Sequence, residues 1–288
     1  MRTASRAFIY GQPIGHSISP LIHNAAFKEA GIPVRYEARE VSATELAQAI
    51  ERLRQPDVLG ANITVPHKEA VIRLVDEVDP AAALIGSVNT ITNRGACLVA
   101  SNTDAPGFAR ALKEALIRVE QADVLVLGAG GSARAVVYAV LSAGARCVLI
   151  ANRTLERAAQ LASGLHEHFP NSILLTGALA DLGPAEVGAR TLIVNTTVVG
   201  LDSDETPLDA RLLPRVGALV DIIYRPAQTR LMRDAAASGL RTLNGLGMLV
   251  HQAALAWETW VGRPAPLEAM WQAARLAQAE ATPTRSRQ

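Results

Sequence analysis

The sequence predicts an α/β protein in which a second, parallel and doubly wound sheet follows a first α/β domain. Three observations carry that expectation. Strand-like and helix-like stretches alternate along the 288 residues, the order expected of sheets covered by helices. Residues 122–154, "ADVLVLGAGGSARAVVYAVLSAGARCVLIANRT", run from an apolar strand through a glycine turn into a helix and a second apolar strand. That is a βαβ unit of the parallel kind. With 49% hydrophobic and 19% charged residues, the chain can also build sizeable cores.

In chain order, "RAFIYG" is a strand and "SPLIHNAAFKEAG" a helix stopped by Gly31. "VRYEAREV" alternates as a strand, "TELAQAIERLRQ" has helical periodicity, and "LGANITV" is a strand again. "SVNTITNRGACLVASN" has the pattern of a hairpin turning at Asn93 to Gly95. The Pro106-Gly107 pair signals a break, and "APGFARALKEALIR" is the helix linking the two halves. After the βαβ unit, "RTLIVNTT" and "ALVDIIY" are further apolar strands, with "TRLMRDAAASGL" a helix ended by its glycine. From Gly245 onward the pattern is helical, through "MLVHQAALAWETWVG" and "LEAMWQAARLAQAE", before a tail, "TPTRSRQ", expected to fray. These signals divide the chain into residues 1–106, 107–245 and 246–288.

Bulk properties narrow the function classes. The formal net charge is +1, with acidic and basic residues mixed, so neither nucleic acid nor a membrane surface is an expected partner. The first residues lack the apolar run of a secretory signal, and no segment has the roughly 18 apolar residues of a membrane span. Cys97 and Cys147 form no CxxC pattern, which points to a cytoplasmic protein with two inert thiols. His166 and His168 lie two apart in a helical pattern and so face different ways, and no metal site is expected.

The glycine turn carries the clearest chemistry. "LGAGGSARA" holds Gly128-x-Gly130-x-x-Ala133, the alanine-ended dinucleotide fingerprint. Gly128 suits a tight turn, Gly130 a close approach of backbone to pyrophosphate, and Ala133 the packing of helix on strand. The helix start offers unpaired N–H groups to an anion. At the end of the second strand an NAD site would carry an acid for the ribose 2′-hydroxyl. This chain has Asn152 and Arg153 there, then Thr154 as an N-cap and Arg157 one turn on. A guanidinium suits the additional phosphate of NADP.

In the first domain, "GANITVPHKEA" places Lys68 just past a strand end, and "SNTDAPG" places Asp104 just past the hairpin. A lysine beside a carboxylate is suited to proton transfer, although either residue type alone is more often a solvated surface charge. In "GQPIGHSISPLIHN", Ser19 occupies an N-cap position and Pro20 the first helical one. Capping leaves Gly11, His16 and Ser17 without a role.

Eight segments in order, "GQPIGHSISPLIHN", "GANITVPHK", "GSVNT", "SNTDAPG", "GAGGSARA", "NRT", "DIIYRPAQT" and "GLGMLVHQ", resemble the shikimate dehydrogenase family over nearly the full length. The resemblance implies NADPH-dependent, reversible reduction of 3-dehydroshikimate to shikimate in aromatic amino-acid biosynthesis. It implies a substrate domain, a Rossmann-type NADP domain, and C-terminal helices returning to the substrate domain. Lys68 and Asp104 match the family's catalytic pair, and Ser17 and Ser19 its carboxylate-binding serines. Thr64, Asn89, Asp104 and Gln252 match groups around the ring hydroxyls, and Tyr224 a substrate-contacting tyrosine. Cofactor contacts are matched by Gly128, Ala129, Gly130, Gly131, Ser132 and Ala133, by Asn152, Arg153, Thr154 and Arg157, and by Ile222 and Gly245. "NTTVVG" departs from the family pattern with Val198 and Val199, in a loop expected near the nicotinamide. A monomer or a homodimer is expected. The alternatives are a quinate/shikimate dehydrogenase and, more remotely, a non-catalytic NADP-binding sensor.

Overall fold

The computed structural model describes residues 5–188 and 190–280, so the tail read as frayed lies outside them. The chain forms two compact units. One runs up to Gly107 and takes in Leu249–Ala277; the other comprises Phe108–Met248 and the residues from Gln278. The architecture is α/β throughout, and most of the C-terminal helical region belongs to the first unit.

The first unit contains β1 (Ser5–Gly11), α1 (Ser19–Glu29), β2 (Val34–Glu40), α2 (Leu46–Glu51), β3 (Val58–Ile63), β4 (Glu77–Val78), α3 (Pro80–Ile85), β5 (Thr90–Arg94) and β6 (Cys97–Ser101). Its sheet has the order β2-β1-β3-β5-β6-β4. Strands β1, β2 and β3 are parallel, and β5 and β6 form an antiparallel hairpin beside them. Phe8, Tyr10, Ile63, Ile91 and Leu98 lie in one buried cluster with Ile50 and Leu53.

Next come α4 (Asp104–Glu114), β7 (Asp123–Leu127), α5 (Gly131–Ser142), β8 (Cys147–Asn152), α6 (Leu155–His166), β9 (Ile173–Ala178), α7 (Pro184–Gly188), β10 (Leu192–Asn195), β11 (Ala218–Asp221), α8 (Arg230–Ala237) and β12 (Arg241–Asn244). Their six strands lie in the order β12-β11-β10-β7-β8-β9, all parallel. Strands β10 and β11 are buried at every position, as strands covered on both faces must be. Helices α9 (Leu246–Val261) and α10 (Leu267–Glu280) are the last elements of the described residues.

Several local expectations change. The hairpin turns at Gly95 and Ala96, one step later than expected, both with positive φ (64° and 73°). Asn93 stays in β5 because its side chain is fully used. It donates to the Gln55 and Val58 carbonyls and accepts from Ala96 N at 2.8 Å. The helix expected over 44–55 tightens after Glu51 into a 3₁₀ turn, Arg52–Arg54, and stops at Gln55, extended ahead of Pro56. The Pro106-Gly107 pair, read as a boundary signal, sits in the first turn of the linking helix α4, where a missing N–H is tolerated. Apolar patterning marks neither the two-residue β4 nor the edge strand β9, whose side chains are half exposed.

Within the first unit, His23 on α1 stacks on Tyr36 with ring centroids 4.2 Å apart, and Trp260 of α9 lies 5.3 Å away. The imidazole is fully buried, and neither ring nitrogen has a hydrogen-bonding partner among the described residues. Burial pushes its pKa down to about 3, against about 6.5 in the unfolded chain. Between those values the unfolded state binds the proton and the folded state does not. His23 therefore contributes full stability above about pH 6.5, lost as pH falls, at about 1.4 kcal/mol per pH unit. Urea unfolding of His23→Leu should show a shallower loss than the parent between pH 6.5 and 5, the difference approaching about 2 kcal/mol. Identical pH slopes would mean that the ring is protonated inside the fold.

Candidate active site

The first unit gathers its polar groups where strands end. β1 and β3 are parallel neighbours with Tyr10 opposite Ile63, so the segments that follow them leave side by side. One carries Ser17 and Ser19, the other Thr64 and Lys68. Backbone bonds continue past the strands, from Thr64 N to Tyr10 O (2.9 Å) and from Gln12 N to Val65 O (2.9 Å).

Ser19 does not cap α1. The N-cap residue is Ile18, and no side chain caps the helix there. Ser17 Oγ instead accepts from Ser19 N at 3.3 Å, which places Ser19 inside the first turn with its side chain buried. The tight Ser17–Ser19 turn, closed by that side-chain-to-backbone bond, displaces the expected cap by one residue.

Lys68 is held by the residues around it. His67, itself buried, donates Nε2–H to the Val41 carbonyl at 2.6 Å, and the Lys68 carbonyl accepts from Val88 N at 2.9 Å. Lys68 Nζ lies 2.5 Å from Asp104 Oδ2, with both side chains about nine-tenths buried. Asp104 opens α4, where the unpaired N–H groups of the first turn favour a carboxylate. Breaking a buried ion pair by removing one partner costs about 3–5 kcal/mol, because the other charge is left uncompensated.

Asn89 ties this pair to the rest of the unit. Its Nδ2 donates to Asp104 Oδ1 at 2.8 Å and to Thr103 Oγ1 at 2.9 Å, with Gln252 Oε1 at 3.2 Å. Its Oδ1 accepts from Thr103 N at 2.7 Å. One carboxamide thereby joins the start of β5, the start of α4 and a residue of α9. The approach of α4 to α9 is close enough to require glycine. A Cβ on Gly107 would stand 2.7 Å from Gln252 N and 3.0 Å from its Cα.

Motif reading passed over Asn62. From β3 its Nδ2 donates to Asn89 O and Thr90 Oγ1, both at 3.1 Å, and its Oδ1 accepts the Tyr36 hydroxyl at 2.7 Å. The available signal was an amide in the otherwise apolar run "VLGANI". Tyr224 lies outside this network, in the second unit, on the segment following β11.

In the second unit the strand register arranges a row. Ala151, Leu127, Asn195, Asp221 and Asn244 are successive partners across β8, β7, β10, β11 and β12. One residue further along each strand stand Asn152, Gly128, Thr196, Ile222 and Gly245. Four of these five were expected to contact a dinucleotide, and the carboxyl edge of a parallel sheet is where such ligands bind. Gly128 has φ +108°, and a Cβ there would lie 2.6 Å from Thr196 Oγ1. Nothing stands within 4 Å of the Cβ position on Gly130, so space is left over the start of α5. Gly131 and Ser132 open that helix, Ala129 is buried in the turn, and Ala133 is completely buried where helix meets strand. The first turn of α5 thus offers the unpaired N–H groups that a pyrophosphate needs.

Asn152 Nδ2 donates to Thr154 O at 2.8 Å, shaping the end of β8, and Arg153 and Arg157 are exposed beyond it. Thr154 is the N-cap residue of α6, but its side chain makes no capping bond. Val198 is exposed, on a segment held from Thr197, whose backbone N and Oγ1 both donate to Asn195 Oδ1. Among the described residues no cluster of His, Cys, Asp and Glu could hold a metal ion, and no helix is long and apolar enough to cross a membrane.

Comparison with known proteins places these features. The profile of the shikimate dehydrogenase substrate binding domain matches residues 9–91, that of the shikimate/quinate 5-dehydrogenases residues 110–198, and that of the shikimate 5′-dehydrogenase C-terminal domain residues 245–275. A shikimate dehydrogenase (NADP(+)) of Symbiobacterium thermophilum is 44% identical over 276 residues, 93% of each chain. The crystal structure of shikimate 5-dehydrogenase from Thermus thermophilus in complex with NADP(H) and shikimate superimposes with a TM-score of 0.86. It is 39% identical, covering 95% of this chain and 99% of the other. Quinate dehydrogenase from Corynebacterium glutamicum in complex with NAD reaches the same TM-score at 27% identity, covering 94% and 98%. Identity at this level, carried along almost the whole of both chains, means that the chain belongs to the shikimate dehydrogenase family.

Proposed function

We propose that Lys68 and Asp104 carry out the proton chemistry of an NADP-dependent interconversion of 3-dehydroshikimate and shikimate, a step of aromatic amino-acid biosynthesis. The observation that carries the assignment is the buried Lys68–Asp104 pair, fixed through Asn89 to Thr103 and Gln252. Bound NADPH supplies the hydride to the C3 carbonyl carbon. Lys68 Nζ holds a proton beside the carbonyl oxygen and gives it up as that oxygen becomes a hydroxyl. Asp104 orients the ammonium and accepts from the neighbouring ring hydroxyl. Thr64, Asn89 and Gln252 supply further partners to the ring hydroxyls, and Ser17 and Ser19 donate hydroxyls to the carboxylate. A site built from buried hydrogen-bonding groups penalises any substrate that leaves one of them unpaired.

In the second unit, the glycine turn and first turn of α5 hold the pyrophosphate, and Arg153 with Arg157 meets the 2′-phosphate. Ile222 and Gly245 contribute to the cofactor from the segments beyond β11 and β12, and Tyr224 is a substrate contact. Quinate, which carries an additional hydroxyl at C1, is the competing substrate, because the matched profile spans both dehydrogenases. The missing acid at the end of β8 favours NADP, the cofactor named for the curated relatives.

Purified protein given NADP and shikimate should produce the absorbance of reduced nicotinamide, with a larger kcat/KM than for quinate. No rise across a pH series would overturn the assignment, and a preference for quinate would replace the substrate. Lys68→Ala should lower kcat by about 10²–10⁴-fold with a much smaller change in KM, because the proton is needed as the transition state forms. A variant keeping most of its kcat would remove Lys68 from the mechanism. Arg153→Ala should lower kcat/KM for NADP by roughly 10- to 150-fold, as expected for a lost charged hydrogen bond, and leave NAD use almost unchanged. Equal losses with both cofactors would mean that Arg153 supports the fold rather than the phosphate.

A further inference from the structure

Asp221 ends β11 completely buried, yet among the described residues no cation is a partner of its carboxylate. Three donors surround it. Asn195 Nδ2 and the Ile223 backbone N–H reach Oδ1 at 3.0 and 3.1 Å, and the Thr229 hydroxyl reaches Oδ2 at 2.7 Å. Thr229 Oγ1 in turn accepts from Met232 N as the side-chain cap of α8, which commits its own proton to Asp221. Burial pushes the carboxyl pKa above the ordinary carboxylate range, and the three donors act in the opposite direction.

Each donor belongs to a different piece of the carboxyl edge. Asn195 shapes the segment after β10, because its Oδ1 accepts from both Thr197 N and Thr197 Oγ1. Ile223 lies between Ile222 and Tyr224, and Thr229 closes their segment where α8 begins. The same segment is fastened from β12, where Asn244 Nδ2 donates to Ala227 O at 2.9 Å and Gly245 N to Ile223 O at 3.1 Å. Gly245 approaches so closely that a Cβ would fall 1.8 Å from Ile222 O. Asp221 is the one carboxylate on which the segments after β10 and β11 and the cap of α8 converge.

We infer that Asp221 is a positioning residue for the cofactor: its buried carboxylate locks the 196–199 and 222–229 segments together in the geometry that binds NADP. The inference rests on the placement of NADP at this edge of the sheet. Asp221 does not touch the cofactor. Its effect passes through Ile222, Gly245 and the backbone around Thr197. The isosteric Asp221→Asn places an N–H₂ group where an acceptor is required, so one of the three donors loses its partner and the segments separate.

The test is the Kd for NADPH, by fluorescence titration of the full chain, with Tm recorded alongside. Asp221→Asn should weaken NADPH binding at least tenfold at a temperature where the variant remains folded. An unchanged Kd, whatever the Tm, would overturn the inference, because a purely structural role predicts lower stability with unaltered affinity. If Asp221→Asn does not fold, Thr229→Ala and Thr229→Ser decide. The alanine variant should weaken binding and the serine variant, which keeps the hydroxyl, should restore it; equal affinities would overturn the inference. A wild-type protein that binds no NADPH would instead refute the cofactor placement itself.

Discussion

The Asn89 carboxamide is the constraint on which the first unit depends. A side-chain amide has one acceptor oxygen and two N–H donors, and here both ends are engaged inside the protein. The oxygen receives the backbone that precedes α4, and the nitrogen faces Asp104, Thr103 and Gln252. A hairpin, a helix start and a late-sequence helix therefore share one polar centre, and Lys68 enters it through its ion pair with Asp104. Buried groups of this kind are costly when any member lacks a partner, which sets their mutual geometry more narrowly than apolar packing would. Gly107 is part of the same arrangement, since only a residue without a side chain lets α4 come within reach of Gln252.

The second unit solves a different problem with a different device. Its strands are parallel and in register at their carboxyl ends, so the segments after five strands open from one row. Glycine at Gly128 and Gly245 brings those turns close to their neighbours, and Asp221 ties two of the intervening segments together. The helix N-terminus beyond Gly130 then faces open space, as binding an extended anion requires.

Much of this was legible in residue order alone. The βαβ unit stands out because a buried parallel strand is a nearly continuous apolar run, and the Gly128–Ala133 turn has a mechanical reason for every small residue. Lys68 and Asp104 were locatable as polar residues beyond strand ends, but their 2.5 Å pairing was not, because it joins residues 36 apart in sequence through tertiary packing. Asn62 and Asp221 went unmarked for the same reason. A buried amide or acid looks like any other polar residue until its partners are brought to it. The edge strand β9 escaped because one row of its backbone groups has no neighbouring strand and its side chains need not be apolar. The Ser19 cap was misplaced because capping propensity is local, whereas the Ser17–Ser19 turn follows from how the chain leaves β1.

The central claim is that Asn89, Asp104 and Lys68 act as one unit, and a double-mutant cycle on kcat for shikimate oxidation tests it most directly. Asn89→Ala, Lys68→Ala and the double variant would be compared with the parent at saturating NADP and shikimate. If Asn89 acts by holding the pair, the double variant is about as slow as Lys68→Ala alone. Losses that multiply, with Asn89→Ala slowing the Lys68→Ala enzyme by the same factor as it slows the parent, would contradict the account.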